Sequence, residues 1–275
     1  MLVSVVVTTK NEEKNIERCF KSIEAQSYPL EEIEIIVVDN NSTDQTKKIA
    51  KEYTNKIFNY GPERSAQRNL GVKEALGKYV LYLDADMNLS EKVIEECVGE
   101  CEQKGYIALY IPEKIIGKGF WVKVRNFERS FYNATCIDAV RFVRKDKFLQ
   151  ISGFDESLTG PEDWDFERRI KECGPVSCIS QFLHHNESEF SFRQYLSKKF
   201  YYSGSFKRYI EKWGKSDKIV KKQLGFCYRY FKVFIEKGKF KKLLRYPVLT
   251  IGMFCLRVLV GLAYTLRVFL NGGEV

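Results

Sequence analysis

Residues 78–86, KYVLYLDAD, place a hydrophobic β-strand directly before two carboxylates. Residues 78–83 have the length and apolar character of a buried strand, and Asp84-Ala85-Asp86 follows at its end. The two carboxylates would lie on the same side of the backbone, and their repulsion is costly unless a cation compensates it. Because hard oxygen ligands suit Mg²⁺ or Mn²⁺, this DXD motif indicates a divalent-cation site at the end of a strand.

The chain around this stretch alternates strands with helices. We predict further strands at residues 2–8, 33–38, 56–59 and 106–111, and helices at residues 11–26, 42–53, 62–76 and 90–104. This βαβ spacing predicts an α/β fold with a mostly parallel sheet covered by helices on both faces. Three strands end in polar residues, at 8–10, 39–41 and 84–86, and ligands of such sheets bind at these ends. No GxGxxG or GxxxxGK[ST] motif occurs there, which argues against a Rossmann dinucleotide site or a P-loop.

Composition narrows the class of protein further. The 275 residues are 44% hydrophobic and 29% charged, with six prolines, which is typical of a folded globular chain rather than a disordered or repetitive one. The N-terminus, MLVSVVVTTKNEE, has no signal-peptide pattern, so we expect a chain that is not secreted. The eight cysteines lack CxxC spacing, and we expect them to be free thiols rather than disulfides or zinc ligands.

Five ordered motifs resemble the family-2 glycosyltransferases of the GT-A fold. The matching stretches are VVVTTKNEEKNIERCFKSI (5–23), IIVVDNNSTDQT (35–46), RSAQRNLGVKEALGKYVLYLDADMNLS (64–90), ISGFDESLTGPEDWDFERRI (151–170) and FLHHNES (182–188). The resemblance covers roughly residues 3–190 and implies a GT-A domain over 1–190. Its nucleotide-sugar half would be residues 1–110 and its acceptor half residues 111–190.

The resemblance also implies a donor site on the predicted rim of the sheet. The residues that match donor-binding positions of the family are Thr8, Lys10, Glu12, Asp39, Arg68, Asn69, Asp84 and Ala85. Ser42 and Asp44 complete the loop in which Asp39 would bind the base, and Asp84 would face the ribose or the donor sugar. Asp86 would hold a Mn²⁺ or Mg²⁺ ion that bridges the diphosphate. The ion would act as a Lewis acid on the departing nucleoside diphosphate.

Two further motifs concern the metal and the acceptor. The only two histidines, His184 and His185, match the position where several relatives supply another metal ligand. His185 is the favoured ligand because of its spacing to Asn186, and His184 is the alternative. Asp163 matches the base that deprotonates the acceptor hydroxyl, and Glu162 and Trp164 would contact the acceptor. The same acids would also be favourable simply as the first turn of a helix.

The C-terminal segment, residues 191–275, has a different character. Residues 193–245 contain 17 Lys and Arg against three acids, a net charge of +14, interleaved with Phe and Tyr. Residues 246–266 contain a single charge, Arg257, and an Arg inside a membrane span costs about 2.5–3.5 kcal/mol. The pattern favours helices that bind an anionic membrane surface, lying on it or spanning it only marginally. The alternative is a soluble hairpin that buries its apolar face on the catalytic domain.

These observations predict an inverting, metal-dependent glycosyltransferase at the cytoplasmic face of a membrane. Its donor would be a UDP- or GDP-linked sugar, and its acceptor a hydroxyl of a glycan on a polyprenyl carrier or a glycolipid. One alternative is a synthase that glycosylates polyprenyl phosphate itself. Because a phosphate nucleophile needs no base, the Glu162-Asp163-Trp164 motif favours a hydroxyl acceptor over this alternative. A nucleic-acid-binding protein that uses the basic tail and a catalytically inactive glycan-binding module are the alternatives from other classes; no nucleic-acid motif supports the former.

Overall fold

The computed structural model of the chain describes residues 2–187 and 190–270, with the side chains of residues 264 and 266–270 excepted. Residues 271–275 of the predicted C-terminal segment therefore lie outside the described residues. Two compact units can be distinguished. The first unit comprises Met1–Lys114, Ala139–Glu156 and Glu162–Asn186, and the second unit comprises Ile115–Asp138, Ser157–Pro161 and Glu187–Val275.

The strands form two sheets. They are β1 (Val3–Thr9), β2 (Ile33–Asp39), β3 (Ile57–Asn59), β4 (Tyr79–Asp84), β5 (Met87–Leu89), β6 (Ala108–Tyr110), β7 (Glu113–Ile116), β8 (Val140–Arg144), β9 (Val176–Cys178) and β10 (Leu183–Asn186). The larger sheet has the order β3-β2-β1-β4-β8-β6-β9, and the smaller one β5-β10-β7. Strands β3, β2, β1 and β4 run parallel to one another, whereas β8 is antiparallel to β4 and β6.

The helices alternate with the strands in the first part of the chain and follow one another at its end. They are α1 (Ile16–Glu24), α2 (Thr46–Ala50), α3 (Arg64–Glu74), α4 (Val93–Lys104), α5 (Phe120–Arg129), α6 (Lys145–Gln150), α7 (Glu162–Glu172), α8 (Phe192–Tyr202), α9 (Phe206–Trp213), α10 (Lys218–Leu224), α11 (Val233–Ile235), α12 (Phe240–Arg245) and α13 (Pro247–Leu270). The predicted α/β fold with a mostly parallel sheet, flanking helices and a helical C-terminal segment is confirmed.

The core of the first unit explains why the parallel strands lie where they do. All seven residues of β1 are buried, as expected for a β-branched strand with helices on both faces. Helix α3 packs so closely on this sheet that a Cβ added to Gly71 would lie 2.2 Å from Cγ1 of Val6. Because α3 is held against the sheet in this way, its first turns stand at the carboxyl ends of β1 and β4.

Several predicted helices begin later than the sequence pattern indicated. The helix predicted from residue 42 begins at Thr46. Before it, the backbone N–H and the hydroxyl of Ser42 both donate to the carboxylate of Asp39. The backbone N–H and the hydroxyl of Thr46 likewise donate to the carboxylate of Asp44. These local side-chain bonds satisfy backbone groups outside a helix. The helix predicted from residue 11 begins at Ile16, because Asn11 takes a left-handed conformation with φ 54°.

The second unit contains a core of its own. Val124, Phe127 and Phe131 of α5 and the residues after it pack with Phe234, Met253 and other apolar side chains from the C-terminal helices. Within this core lies a charged residue, Arg257 of α13, which is only 5% exposed. The side chain of Arg257 therefore lies in the interior of the second unit.

Candidate active site

Two loops join at the carboxyl ends of β1 and β2. The backbone N–H of Asn11 donates to Oγ of Ser42 at 2.7 Å, and the N–H of Glu12 donates to Oγ1 of Thr46 at 2.8 Å. Asp39 is fully buried, and both of its carboxylate oxygens accept bonds from Ser42. The polar residues that follow β1 and β2 are therefore joined by hydrogen bonds at the edge of the sheet that the topology predicted.

Asp84, the first carboxylate of the DXD motif, is held by arginines. Its Oδ1 accepts a bond from Nη2 of Arg68 at 3.1 Å and one from the hydroxyl of Thr8 at 3.0 Å. Its Oδ2 lies 3.3 Å from Nη1 of Arg64. Burial alone would raise the pKa of this carboxyl, but Arg68 and Arg64 outweigh it and hold the pKa well below its usual range. Asp84 is therefore an ionised anchor for the two arginines.

Arg68 joins Asp84 to the predicted base. Its guanidinium is completely buried, and Nη1 donates to Oδ1 of Asp163 at 3.0 Å. The rings of Tyr82 and Phe154 lie 5.1 and 5.3 Å from the centre of the guanidinium, so the cation is fixed by packing as well as by charge. One buried side chain thus joins two carboxylates for which the sequence predicted different roles, Asp84 at the donor and Asp163 at the acceptor.

Glu162 begins α7 beside this network. Its carboxylate is buried, and Oε1 lies 3.3 Å from Nη2 of Arg64. Burial and the neighbouring charge of Asp163 raise the pKa of Glu162. The half-buried Trp164 follows in the same turn. The Glu162-Asp163-Trp164 motif therefore begins α7 and also contributes two carboxylates to the cluster around Arg64 and Arg68.

Asp86, the second carboxylate of the DXD motif, has a different partner. Strand β10 pairs antiparallel with β5 so that His185 lies opposite Met87, directly beside Asp86. Nε2 of His185 lies 3.0 Å from Oδ2 of Asp86, and Nδ1 lies 2.9 Å from Oε1 of Glu113. Burial lowers the pKa of His185, but Asp86 and Glu113 outweigh it and raise the pKa well above its usual value. His184 points to the other side of the strand and stacks edge-on against Phe182, so His185 is the histidine that meets the motif.

The cluster around Asp86 fits a divalent cation in part. Oδ1 of Asp86 is buried without a hydrogen-bond partner, an arrangement that a cation would satisfy. His185 is oriented by Glu113 in the manner of a carboxylate-supported metal ligand, and Arg141 lies 3.6 Å from Glu113 in turn. Among residues 2–187 and 190–270, no group of three His, Cys, Asp or Glu side chains is arranged to hold a metal. An ion held by Asp86 and His185 would therefore need further ligands from a diphosphate or water.

The remaining predicted site residues take less central positions. Lys10 is exposed, and Glu12 accepts a bond from the amide of Asn15. Asn69 exchanges hydrogen bonds with the backbone of Phe154 and so holds the loop that packs on Arg68. Ala85 is buried between the two carboxylates of the motif.

The sequence analysis missed Arg64, Glu113 and Arg141. Arg64 lies four residues before Arg68, a spacing that places both on one face of α3, so this pattern was available in the sequence. Glu113 and Arg141 lie on strands β7 and β8, in a stretch where no motif indicated a function. Their connection to His185 depends on strand pairing over more than forty residues, which the sequence pattern does not reveal.

The fold is that of the GT-A glycosyltransferases, and the polar cluster described above lies at the carboxyl ends of its parallel strands. The sequence profile of the family named Glycosyl transferase family 2 matches residues 4–158, more than half of the chain. The chain belongs to this family, as the five motifs predicted.

Two curated relatives show how far the similarity extends. The poly(ribitol-phosphate) beta-N-acetylglucosaminyltransferase TarS of Staphylococcus aureus is 33% identical over 129 residues, which cover 43% of this chain and 22% of TarS. The GalNAc(5)-diNAcBac-PP-undecaprenol beta-1,3-glucosyltransferase of Campylobacter jejuni is 26% identical over 180 residues, which cover 58% of this chain and 57% of that enzyme. The match thus spans about a fifth of TarS and a little over half of the Campylobacter enzyme.

Solved structures share the fold. The crystal structure of S. aureus TarS 1–349 covers 92% of this chain and 79% of its own, with a TM-score of 0.61 and 21% identity. The mannosyltransferase PcManGT of Pyrobaculum calidifontis, in complex with GDP-Man and Mn²⁺, covers 96% of this chain and 86% of its own, with a TM-score of 0.62 and 17% identity. Both likenesses support the GT-A fold.

Proposed function

We propose that this chain is an inverting glycosyltransferase that transfers a sugar from a nucleoside-diphosphate sugar to a hydroxyl group. The observation that carries the proposal is the buried guanidinium of Arg68, which holds Asp84 and Asp163 within 3.1 and 3.0 Å of its nitrogens. A preorganised link of this kind places donor-side and acceptor-side groups in one fixed geometry, which lowers the entropic cost of reaction. TarS has been solved with UDP-GlcNAc, which supports a nucleotide-sugar donor for this family member.

Asp163 is the proposed base. Arg68 occupies its Oδ1, and in the described part of the chain no contact engages Oδ2. In the proposed reaction Oδ2 accepts the proton of the acceptor hydroxyl while the hydroxyl oxygen bonds to the anomeric carbon. The bond from that carbon to the diphosphate breaks on the opposite side, so the nucleoside diphosphate leaves and the configuration inverts.

Asp86 and His185 are the proposed protein ligands of Mn²⁺ or Mg²⁺. When bound, the ion would neutralise negative charge on the diphosphate. The unpartnered Oδ1 of Asp86 and the support of His185 by Glu113 favour this assignment. The structure of PcManGT is a complex with GDP-Man and Mn²⁺, which supports the choice of a divalent cation.

We further propose that the acceptor is a glycan carried on a membrane lipid and that the chain acts at the cytoplasmic face of the membrane as a peripheral protein. The Campylobacter relative is named for an undecaprenol-linked acceptor, which supports this acceptor class. No helix among residues 2–187 and 190–270 is long and apolar enough to cross a bilayer. In this proposal residues 1–190 form the catalytic domain and residues 191–275 the membrane-associating segment.

Calorimetric titration with UDP and with GDP, each with and without Mn²⁺, tests the donor site. We expect one nucleotide to bind when Mn²⁺ is present, and Asp86→Asn to weaken that binding at least about tenfold. Asp146→Asn is the matched control, because Asp146 is an exposed aspartate of the first unit that pairs with its neighbour Arg144. If neither nucleotide binds under any condition, the proposed donor site is wrong.

Replacing Asp163 by Asn tests the base. We expect Asp163→Asn to lower transfer to a hydroxyl acceptor by about a hundredfold or more and to leave nucleotide binding within about twofold. Transfer that is undiminished in this variant would favour polyprenyl phosphate as the acceptor, because a phosphate oxygen attacks without a base.

A further inference from the structure

Helix α13 of the second unit has two faces of opposite character. Its inner face packs Met253, Leu256 and Val260 into the core. Arg257 belongs to this inner face: Nη1 lies 3.3 Å from Oε1 of Glu128, and Nη2 donates to the backbone oxygen of Arg229 at 3.0 Å. The one central charge of the helix is therefore neutralised inside the protein.

The outer face of α13 is apolar and exposed. We define it by Val248, Ile251, Cys255, Val258, Leu259 and Leu262, which are all exposed. At the helical angle of 100° per residue, these six side chains lie within an arc of about 100°. Val248 and Ile251 are 66% and 65% exposed, values typical of charged residues on a soluble helix. Residues 247–270 contain no Asp or Glu, so no acid interrupts this face.

Basic residues adjoin the start of the outer face. Lys241 and Arg245 of α12 are exposed, and Leu244 between them is 76% exposed. Their neighbours Lys239 and Lys242 instead turn inward, to the backbone oxygen of Phe131 and the hydroxyl of Ser130. The outward-facing residues are thus apolar or cationic.

Exposed apolar side chains are concentrated in the second unit. Of the 19 large apolar side chains that are exposed among the described residues, fifteen belong to that unit. The same unit carries the net charge of +14 over residues 193–245. Apolar area together with positive charge is the combination that binds an anionic lipid surface.

We propose that the outer face of α13 docks on an anionic phospholipid bilayer, with the helix lying in the headgroup region parallel to the membrane. This inference rests on the proposed membrane-linked acceptor and assigns the surface by which the enzyme reaches it. A spanning orientation would have to pull Arg257 away from Glu128 and bury it in hydrocarbon, which is costly. A second copy of the chain is a poor occupant, since its own basic segment would bring like charges together.

Co-sedimentation of the full chain with vesicles tests the proposal. We expect binding to vesicles of equal parts phosphatidylcholine and phosphatidylglycerol, and much weaker binding to phosphatidylcholine alone. Ile251→Glu and Val258→Glu should each lower the partition coefficient about tenfold or more, because each removes a large apolar side chain and adds a charge. Arg245→Gln should lower it about fivefold on anionic vesicles only.

Leu76→Glu is the matched control. Leu76 is 69% exposed and belongs to the first unit, so the same substitution there should leave vesicle binding unchanged. If Ile251→Glu and Val258→Glu bind vesicles as well as Leu76→Glu does, while retaining the native circular dichroism spectrum, the docking face is wrong. If they instead convert a dimer into a monomer in sedimentation equilibrium without affecting vesicle binding, the occupant is a second copy.

A probe on Cys255 gives an independent readout. Cys255 and Cys227 are the two exposed cysteines, so an environment-sensitive fluorophore is attached to Cys255 in the variant Cys227→Ser. We expect its emission to shift to the blue on anionic vesicles, and an unchanged spectrum would overturn the proposed orientation. Nucleotide titration of Ile251→Glu separates the docking proposal from the proposed function. We expect this variant to lose vesicle binding and to keep nucleotide binding. Wild-type protein that binds vesicles but no nucleotide would overturn the proposed function alone.

Discussion

Replacement of Glu128 by Gln removes the carboxylate that holds α13 in the second unit. Oε1 of Glu128 accepts bonds from Arg257 at 3.3 Å and from the hydroxyl of Tyr132 at 2.5 Å, and Oε2 accepts one from Arg125 at 3.1 Å. The side chain is almost completely buried. Its removal leaves the buried Arg257 without its carboxylate partner, whereas Arg125 keeps Glu187 at 3.1 Å. Breaking a buried ion pair in this way destabilises a folded protein by about 3–5 kcal/mol.

The magnitude also follows from the titration of Glu128. Burial alone would raise its pKa, but Arg125 and Arg257 lower the pKa from 4.5 to about 2. A shift of this size corresponds to about 3 kcal/mol of stability at neutral pH. Because the unfolded state binds the proton more tightly than the folded state, this stability is complete above about pH 4.5 and is lost as the pH falls towards about 2.

Urea unfolding measured between pH 7 and pH 3 tests this reasoning. Tryptophan emission in the background Trp164→Phe reports on the second unit, because the other two tryptophans, Trp121 and Trp213, belong to it. We expect Glu128→Gln to lower the unfolding free energy by about 3 kcal/mol at pH 7 and by less at lower pH. Glu17→Gln is the control, since Glu17 is exposed and pairs with Lys21 one turn away, and its effect should stay below about 0.5 kcal/mol. A loss at pH 7 no larger than that of the control would refute the role of Glu128.

Three further predictions concern the first unit. Arg68→Lys should lower the rate of sugar transfer by about a hundredfold although the charge is kept, because an ammonium group cannot bridge Asp84 and Asp163 as the planar guanidinium does. Steady-state kinetics measures this loss, and a kcat near that of the wild type would contradict the prediction. Glu113→Gln should weaken Mn²⁺ binding in the presence of nucleotide about tenfold, measured by calorimetry. Glu100→Gln is the control and should leave this binding unchanged, because Glu100 pairs with Lys104 on α4. Treatment with EDTA should abolish sugar transfer, and added Mn²⁺ should restore the activity of the wild type but much less that of Asp86→Asn. Full restoration of activity in Asp86→Asn would show that Asp86 is not a metal ligand.

The sequence predicted the sheet well because the signal there is local. β-Branched runs such as residues 2–8 are recognisable without any knowledge of their neighbours, and their alternation with helices defines the topology. The starts of α1 and α2 were placed too early, because they are set by the left-handed backbone of Asn11 and by side-chain bonds such as that of Thr46 to Asp44. Such bonds carry no periodic pattern.

Arg257 shows a second kind of limit. In the sequence it is a charge in an apolar stretch and counts as a penalty for membrane insertion. In the structure it pairs with Glu128, 129 residues earlier, so the charge belongs to the protein interior and the opposite face of the helix is left apolar. A pairing over that separation cannot be read from spacing, and it supports the surface-bound orientation that the sequence pattern favoured over a membrane span.

The balance of charge in the first unit supports a cation among the donor-site residues. The hydrogen-bonded clusters at the strand ends contain five carboxylates: Asp84, Asp86, Glu113, Glu162 and Asp163. Three arginines are paired with them, namely Arg64, Arg68 and Arg141. With His185 neutral, as a metal ligand must be, these clusters keep an excess of two negative charges. Arg64 and Arg68 pair with the three carboxylates on the Asp84 side, and Arg141 pairs with Glu113, so one excess negative charge lies on each side. The unpartnered Oδ1 of Asp86 lies on the side with Glu113. A divalent cation there would balance the clusters before a diphosphate enters, and it would attract that diphosphate to a rim that otherwise repels it.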